Sequence, residues 1–299
     1  MTTFADDAGP RGSLRAIAAA ILLFAVLCAP SLGAREKDNA LICGNGEKYL
    51  LTAAKPIWLF TRPAARPAPR GAVLAPELTM SDGVTLRGLL VTASEPTERR
   101  KALLVLYGVV HYSDFVYELL KPLEVFDPHY DVYIYDYRGY WRSDGTPRFR
   151  ALVDDVDELL ANLAKRYDEI RIYGVSLGSL IASRAADNER VTSIFLDSVV
   201  SRLSSLSKLC RDKLLDPVDM SEATCRKVTL LIGRYDSLFP PERAEPFIER
   251  MKGCGNAHAS ILADLGHPFS EGGPDGPRAS ELRSTMIRRW LANDAPQGP

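Results

Sequence analysis

The sequence predicts an α/β domain: a mostly parallel sheet of about eight strands, helices on both faces and a small lid. Three observations carry this. Short, continuous apolar runs recur at residues 102–107 (ALLVLY), 132–137, 170–175, 191–196, 228–232 and 259–263, the pattern of strands buried on both faces. Segments of helical spacing alternate with them, which forces parallel pairing through crossover helices. Ahead of them, Ser81-Asp82-Gly83 is a turn signal between two extended runs, 77–80 and 84–92, and predicts a β-hairpin at the start.

The helices follow from periodicity. Leu152, Val156, Leu159, Leu160 and Leu163 recur at three and four residues and share one face. Residues 180–186, 241–251 and 280–292 also read as helices. The long interruption, 199–227, is enough for a lid and too little for a second domain, so one domain is expected over 76–295.

Composition narrows the classes. The chain has 299 residues, 46% hydrophobic and 25% charged, which excludes collagen-like, coiled-coil and largely disordered chains. Lys and Arg total 37 against 38 Asp and Glu, a net charge of -1, so there is no electrostatic case for nucleic acid. A small-molecule partner is expected instead.

The N-terminus stands apart. Residues 16–29 (AIAAAILLFAVLCA) are uncharged and apolar, but a span needs about twenty such residues. Arg11 and Arg15 precede the run, and Pro30, Ser31, Gly33 and Ala34 follow it. This predicts a signal peptide over 1–34 and export to the periplasm or beyond, with no stable membrane span after its removal. Left uncleaved, the same segment is an anchor. Residues 35–75 read as an N-terminal arm, with a short helix broken at Pro56 and a Pro-rich linker over 62–71 (RPAARPAPRG).

Beyond that segment lie Cys43, Cys210, Cys225 and Cys254. An even count in an exported chain predicts disulfides. Cys210 and Cys225, which flank one segment, are the expected pair, with the pairing of Cys43 and Cys254 left open. No Cys-x-x-Cys spacing occurs and the histidines are scattered, so neither a metal site nor a cofactor is expected.

Gly174-Val175-Ser176-Leu177-Gly178 fits Gly-x-Ser-x-Gly between a predicted strand and a predicted helix. A serine on such a turn is held above the carboxyl edge of the sheet, and the helix start offers N–H groups to a developing oxyanion. A hydroxyl needs a base. His267 follows the last apolar run and reaches that edge, whereas His258 and His129 precede their runs and lie at the other. His111 follows the first apolar run and is expected to line the mouth. For the acid, Asp236 follows the run 228–232; Asp197, just after 191–196, competes. The oxyanion N–H groups are expected from Leu177 and from Val109 in the loop after 102–107.

Residues 77–292 resemble the α/β-hydrolases of the serine-hydrolase superfamily, close to the serine aminopeptidase-like group. The likeness rests on residues 81–88 (SDGVTLRG), 136–147 (DYRGYWRSDGTP), the Ser176 elbow and Gly266-His267. It implies the α/β-hydrolase fold, with the family's serine, acid and histidine on Ser176, Asp236 and His267. Tyr107-Gly108 stands where the family has His-Gly, and Trp141 where a glycine is common. Val110, His111, Tyr140 and Trp141 are expected to shape the substrate pocket.

The expectation is an exported serine hydrolase cleaving carboxylic esters through an acyl-enzyme, without cofactor. An aminopeptidase, amidase or thioesterase, and a non-catalytic binding module on the same fold, remain open.

Overall fold

The computed structural model describes residues 41–44, 46–52, 67–109, 111–185, 188–210, 213–254, 260–268 and 276–292. The predicted signal peptide therefore lies outside the described residues, as do residues 62–66 of the Pro-rich linker, Val110 and His258.

The strands are β1 Val73–Leu74, β2 Leu78–Thr79, β3 Thr85–Leu86, β4 Gly88–Val91, β5 Lys101–Leu106, β6 Tyr130–Tyr135, β7 Glu169–Val175, β8 Val191–Asp197, β9 Val228–Gly233 and β10 Ser260–Ala263. Eight of them form one sheet in the order β1-β4-β6-β5-β7-β8-β9-β10, while β2 and β3 pair as the separate hairpin. Pairings from β6 to β10 are parallel; β1 with β4 and β4 with β6 are antiparallel. The doubly wound α/β fold expected from the sequence is thus the one observed. Every residue of β7 is buried, as a strand covered on both faces requires.

The described helices are α1 Gly46–Thr52, α2 Ser113–Leu120, α3 Phe149–Leu163, α4 Leu177–Ala182, α5 Glu222–Cys225, α6 Glu245–Gly253 and α7 Gly276–Ala292. In α3, all five leucine and valine positions picked out by spacing are buried. The chain leaves β5 through α2 towards β6, then returns through α3 past β5 to β7. With right-handed crossovers, these opposite directions put α2 and α3 on opposite faces. A crevice therefore opens at the carboxyl ends of β5 and β7, where the winding reverses. Helix α2, whose apolar positions Val116, Tyr117 and Leu120 are buried, was not singled out from the sequence; it is only eight residues long.

Ile42, Cys43 and Leu51 of the arm belong to the hydrophobic core. Buried Glu47 accepts from the backbone N–H of Phe149 at 2.7 Å, and the Tyr140 hydroxyl donates to the Leu51 carbonyl at 2.8 Å. The segment 199–227 holds short turns at Leu203–Ser205 and Pro217–Asp219 and helix α5. Asp216 ties its middle back to its start by accepting from Leu203 N–H and from Arg202.

The expected Cys210–Cys225 bond is corrected: Cys43 joins Cys210 and Cys225 joins Cys254. Proximity along the chain did not decide the pairing. Cys225 closes α5 directly ahead of β9, and its sulfur also lies against the Arg250 carbonyl near the end of α6. Cys210 meets the arm instead, where Leu209 packs over Gly46.

Candidate active site

Between β7 and α4 a single residue, Ser176, turns the chain, with φ 55° and ψ −120°. Side chains rarely occupy this region, and such strain is characteristic of functional turns. The flanking glycines permit the turn. A Cβ on Gly178 would fall 2.0 Å from the Leu106 carbonyl oxygen, and one on Gly174 would fall 2.8 Å from Ala182 Cβ. Helix α4 thus lies directly on the backbone of β5, and Leu177, the residue after Ser176, opens its first turn. Leu177 N–H therefore has no acceptor within the helix and is available at its positive end.

The loop after β5 comes alongside. A Cβ on Gly108 would lie 3.5 Å from Ser176 Cβ and 3.4 Å from His111 Nδ1. Half-buried Val109 follows in this loop. One carboxylate pins both loop ends: Asp136, just past β6, accepts from the Tyr107 hydroxyl at 2.8 Å, Ser113 N–H at 2.7 Å and the Ser113 hydroxyl at 2.8 Å. Tyr107, in the place of the family's histidine, thus braces the loop through its hydroxyl. Burial pushes the Asp136 carboxyl up to about 7 against these donors.

His267 Nε2 lies 3.1 Å from Ser176 Oγ. Its Nδ1 lies 3.1 and 3.0 Å from the two carboxylate oxygens of Asp236. With Nδ1–H donating to the carboxylate, Nε2 is left to accept the serine proton. The turns that carry Asp236 and His267 are joined through backbone: Arg234 N–H donates to Ala263 and Tyr235 N–H to Leu265. Asp236 Oδ1 also accepts from Leu238 and Phe239 N–H at 2.9 and 2.8 Å, and Oδ2 accepts from the Ser198 hydroxyl. Burial pushes the Asp236 carboxyl up. The imidazole, Phe239 N–H and the Ser198 hydroxyl outweigh that and hold it below its ordinary value.

The structure places Ser176, His267 and Asp236, the three residues singled out from the sequence, within hydrogen-bonding distance of one another in series. Asp197, the competing acid, instead accepts from the Tyr173 hydroxyl at 2.9 Å and Arg283 Nε at 2.7 Å. His129 bonds the Glu95 carbonyl. His111 lies beside Gly108 in the loop after β5; burial, then the charge of His267, push its pKa down to about 4. Tyr140 is a correction: it is fully buried under the arm, its hydroxyl held by Leu51, and lines no accessible pocket. Trp141 is almost wholly buried and stacks on Tyr112 at 4.4 Å. Its φ of 30° lies where the family's glycine is at ease and a side chain is not.

Two contributors escaped sequence reasoning. Ser198 follows Asp197 at the carboxyl edge and could have been found by the argument that singled out Asp197. Arg283 on α7 donates to Asp197 and, at 3.3 Å, to the Gly266 carbonyl beside His267; nothing local marks it.

Residues 101–223 match the family model for the alpha/beta hydrolase fold. The Escherichia coli K12 protein YfhR is 25% identical over 186 residues, 56% of this chain and 65% of that protein. Protein bem46 of Schizosaccharomyces pombe is 25% identical over 187 residues, 55% of this chain and 61% of that protein. The matches thus span less than two thirds of these relatives. Among solved structures, the Pyrococcus furiosus esterase Pf2001 aligns with TM-score 0.57 and 20% identity, covering 76% of this chain and 96% of that one. Sheet order, the strained turn at Ser176 and these matches agree that the chain has the α/β-hydrolase fold.

Proposed function

We propose that the protein is an exported serine hydrolase that cleaves carboxylic esters through an acyl-enzyme. The observation that carries this reading is the continuous path from Ser176 Oγ through His267 Nε2 and Nδ1 to Asp236. Ser176 Oγ attacks the ester carbonyl as its proton passes to Nε2, and the tetrahedral oxyanion forms against the N–H groups of Val109 and Leu177. Asp236 stabilises the imidazolium. The protonated Nε2 then gives its proton to the departing alcohol oxygen as the acyl C–O bond breaks. Water repeats the sequence on the acyl-enzyme, releasing the acid and restoring Ser176.

Esters are favoured because a solved structural relative of this fold is an esterase. Export is supported by disulfides joining Cys43, Cys210, Cys225 and Cys254, since such bonds persist in oxidising compartments. Among the described residues no helix is long and apolar enough to cross a membrane. A start of the mature chain near residue 35 is the corresponding expectation, read by N-terminal sequencing.

The test is Ser176→Ala assayed on short p-nitrophenyl esters, aminoacyl amides and acyl thioesters. Ester turnover is expected to fall by about 10⁴-fold or more, with the circular dichroism spectrum unchanged, and fluorophosphonate labelling should be abolished. Undiminished turnover overturns the reading. Faster amide or thioester cleavage by the wild type replaces the substrate class and keeps the machinery.

A further inference from the structure

We propose that Ser198 is a positioning residue of the same relay, its hydroxyl fixing Asp236 and the Nδ1 edge of His267 relative to each other. This rests on the serine-hydrolase reading above. Ser198 directly follows β8 and holds φ 63°, a left-handed conformation that disfavours a side chain. The strain has a geometric consequence. Ser198 N–H remains bonded to Leu231 of β9 at 2.9 Å, while the side chain reaches across to the turn after β9. There its Oγ bonds Asp236 Oδ2 and lies 3.0 Å from His267 Nδ1. Only 2% of the residue is exposed, so water does not compete for these contacts.

The other side of Ser198 is tied to the nucleophile. Its carbonyl accepts from the Ser179 hydroxyl at 3.0 Å, and that hydroxyl lies 2.6 Å from the Ser176 carbonyl. One residue thus touches the acid and the base and, through Ser179, the backbone of the serine.

The chemistry follows from the donors. Leu238 and Phe239 N–H groups hold Asp236 Oδ1, and the Ser198 hydroxyl holds Oδ2, so the carboxylate is fixed at both oxygens. With its hydrogen given to Oδ2, the Ser198 oxygen turns a lone pair towards Nδ1–H, which stabilises the tautomer that leaves Nε2 free for Ser176. The same hydrogen bond tempers the basicity of the carboxylate. Without Ser198 the carboxylate loses a donor and the imidazole an acceptor, so the pH at which the base becomes active changes.

The test compares pH profiles of p-nitrophenyl acetate hydrolysis for full-length wild type, Ser176→Ala, Ser198→Gly and Ser198→Ala. Glycine adopts φ 63° without strain, so Ser198→Gly removes the hydroxyl while easing the backbone; Ser198→Ala removes it with the strain retained. In both, kcat is expected to fall roughly tenfold to a hundredfold with KM nearly unchanged, as for loss of a charge-assisted hydrogen bond. The acid limb of kcat/KM should move from its wild-type position. A Ser198→Gly enzyme with wild-type kcat, or with a lowered kcat and an unmoved acid limb, overturns the proposal. Turnover surviving in Ser176→Ala is a different failure, that of the hydrolase reading itself.

Discussion

The turn after β9 and the loop after β6 each bury an aspartate just past the carboxyl end of a parallel strand, yet the two ionise in opposite senses. Asp236 is held below the ordinary carboxyl value, whereas Asp136 is pushed up to about 7. Both are surrounded by donors: Leu238 and Phe239 N–H, the Ser198 hydroxyl and His267 at one; Ser113 N–H, two hydroxyls and Arg142 N–H at the other. What differs is the imidazole. Neutral donors soften the cost of burying a carboxylate, but a partner that can take up a charge reverses it. One carboxylate thus stays charged against an imidazole, while the other clamps a loop.

The sharpest way to break the comparison is to neutralise the charged member. Asp236→Asn keeps the size but replaces the acceptor facing Nδ1 with an amide that favours the wrong tautomer of His267. A fall in kcat of about 10⁴-fold is expected, with the fold retained but the melting temperature lowered at neutral pH, a gap that closes as pH falls. Stability should lose part of its acid sensitivity. A carboxyl whose folded pKa is depressed adds stability above its unfolded value and loses it as pH falls through the folded one. Thermal melts of both proteins between pH 3 and pH 7 check this; equal slopes would mean that the imidazole does not govern Asp236.

These two carboxylates also show how far the sequence can be read. Asp236, Ser176 and His267 were legible because each follows an apolar run, and alternation of strands and helices alone puts the ends of such runs on one edge. Asp136 was visible as part of a resembling stretch, but its role was not, since its donors Tyr107 and Ser113 come from another loop. The Cys43–Cys210 bond, with its sequence separation of 167 residues, and Arg283, which reaches Asp197 from α7, depend on packing between distant segments. Tyr140 misled for a related reason: the stretch 136–147 marks a loop at the rim, but the arm covers this residue, and nothing in the spacing shows which side of the loop it takes.

Asp136→Asn is the reciprocal test, with a smaller effect. A buried carboxyl whose folded pKa lies above its unfolded value binds more protons folded than unfolded. Stability therefore falls as pH rises from about 4 towards 7 and levels off beyond it. The asparagine turns an N–H₂ group towards donors that the carboxylate accepted, at a cost of about 1–3 kcal/mol. It also removes the titration. The wild type should thus exceed the variant most clearly near pH 5, with the gap narrowing by pH 8 in denaturant melts. A gap that widens over that range would put Asp136 in the same class as Asp236.

The finest distinction comes from deleting one hydroxyl beside Asp136, as Ser198→Gly does beside Asp236. Tyr107→Phe keeps the ring against Tyr137, 4.8 Å away between centroids, and removes only the donor to Oδ1. A stability loss of about 1 kcal/mol is expected, and the decline with pH should extend to higher pH because the carboxyl has lost a group favouring its charged form. Turnover should drop only a few-fold, through a looser loop at Val109, with the acid limb of kcat/KM in place. The same deletion is thus read in the melting curve at one aspartate and in the pH–rate profile at the other. A Tyr107→Phe enzyme whose acid limb moved as in Ser198→Gly would show that the clamp and the relay titrate as one system, and the contrast between the two regions would be lost.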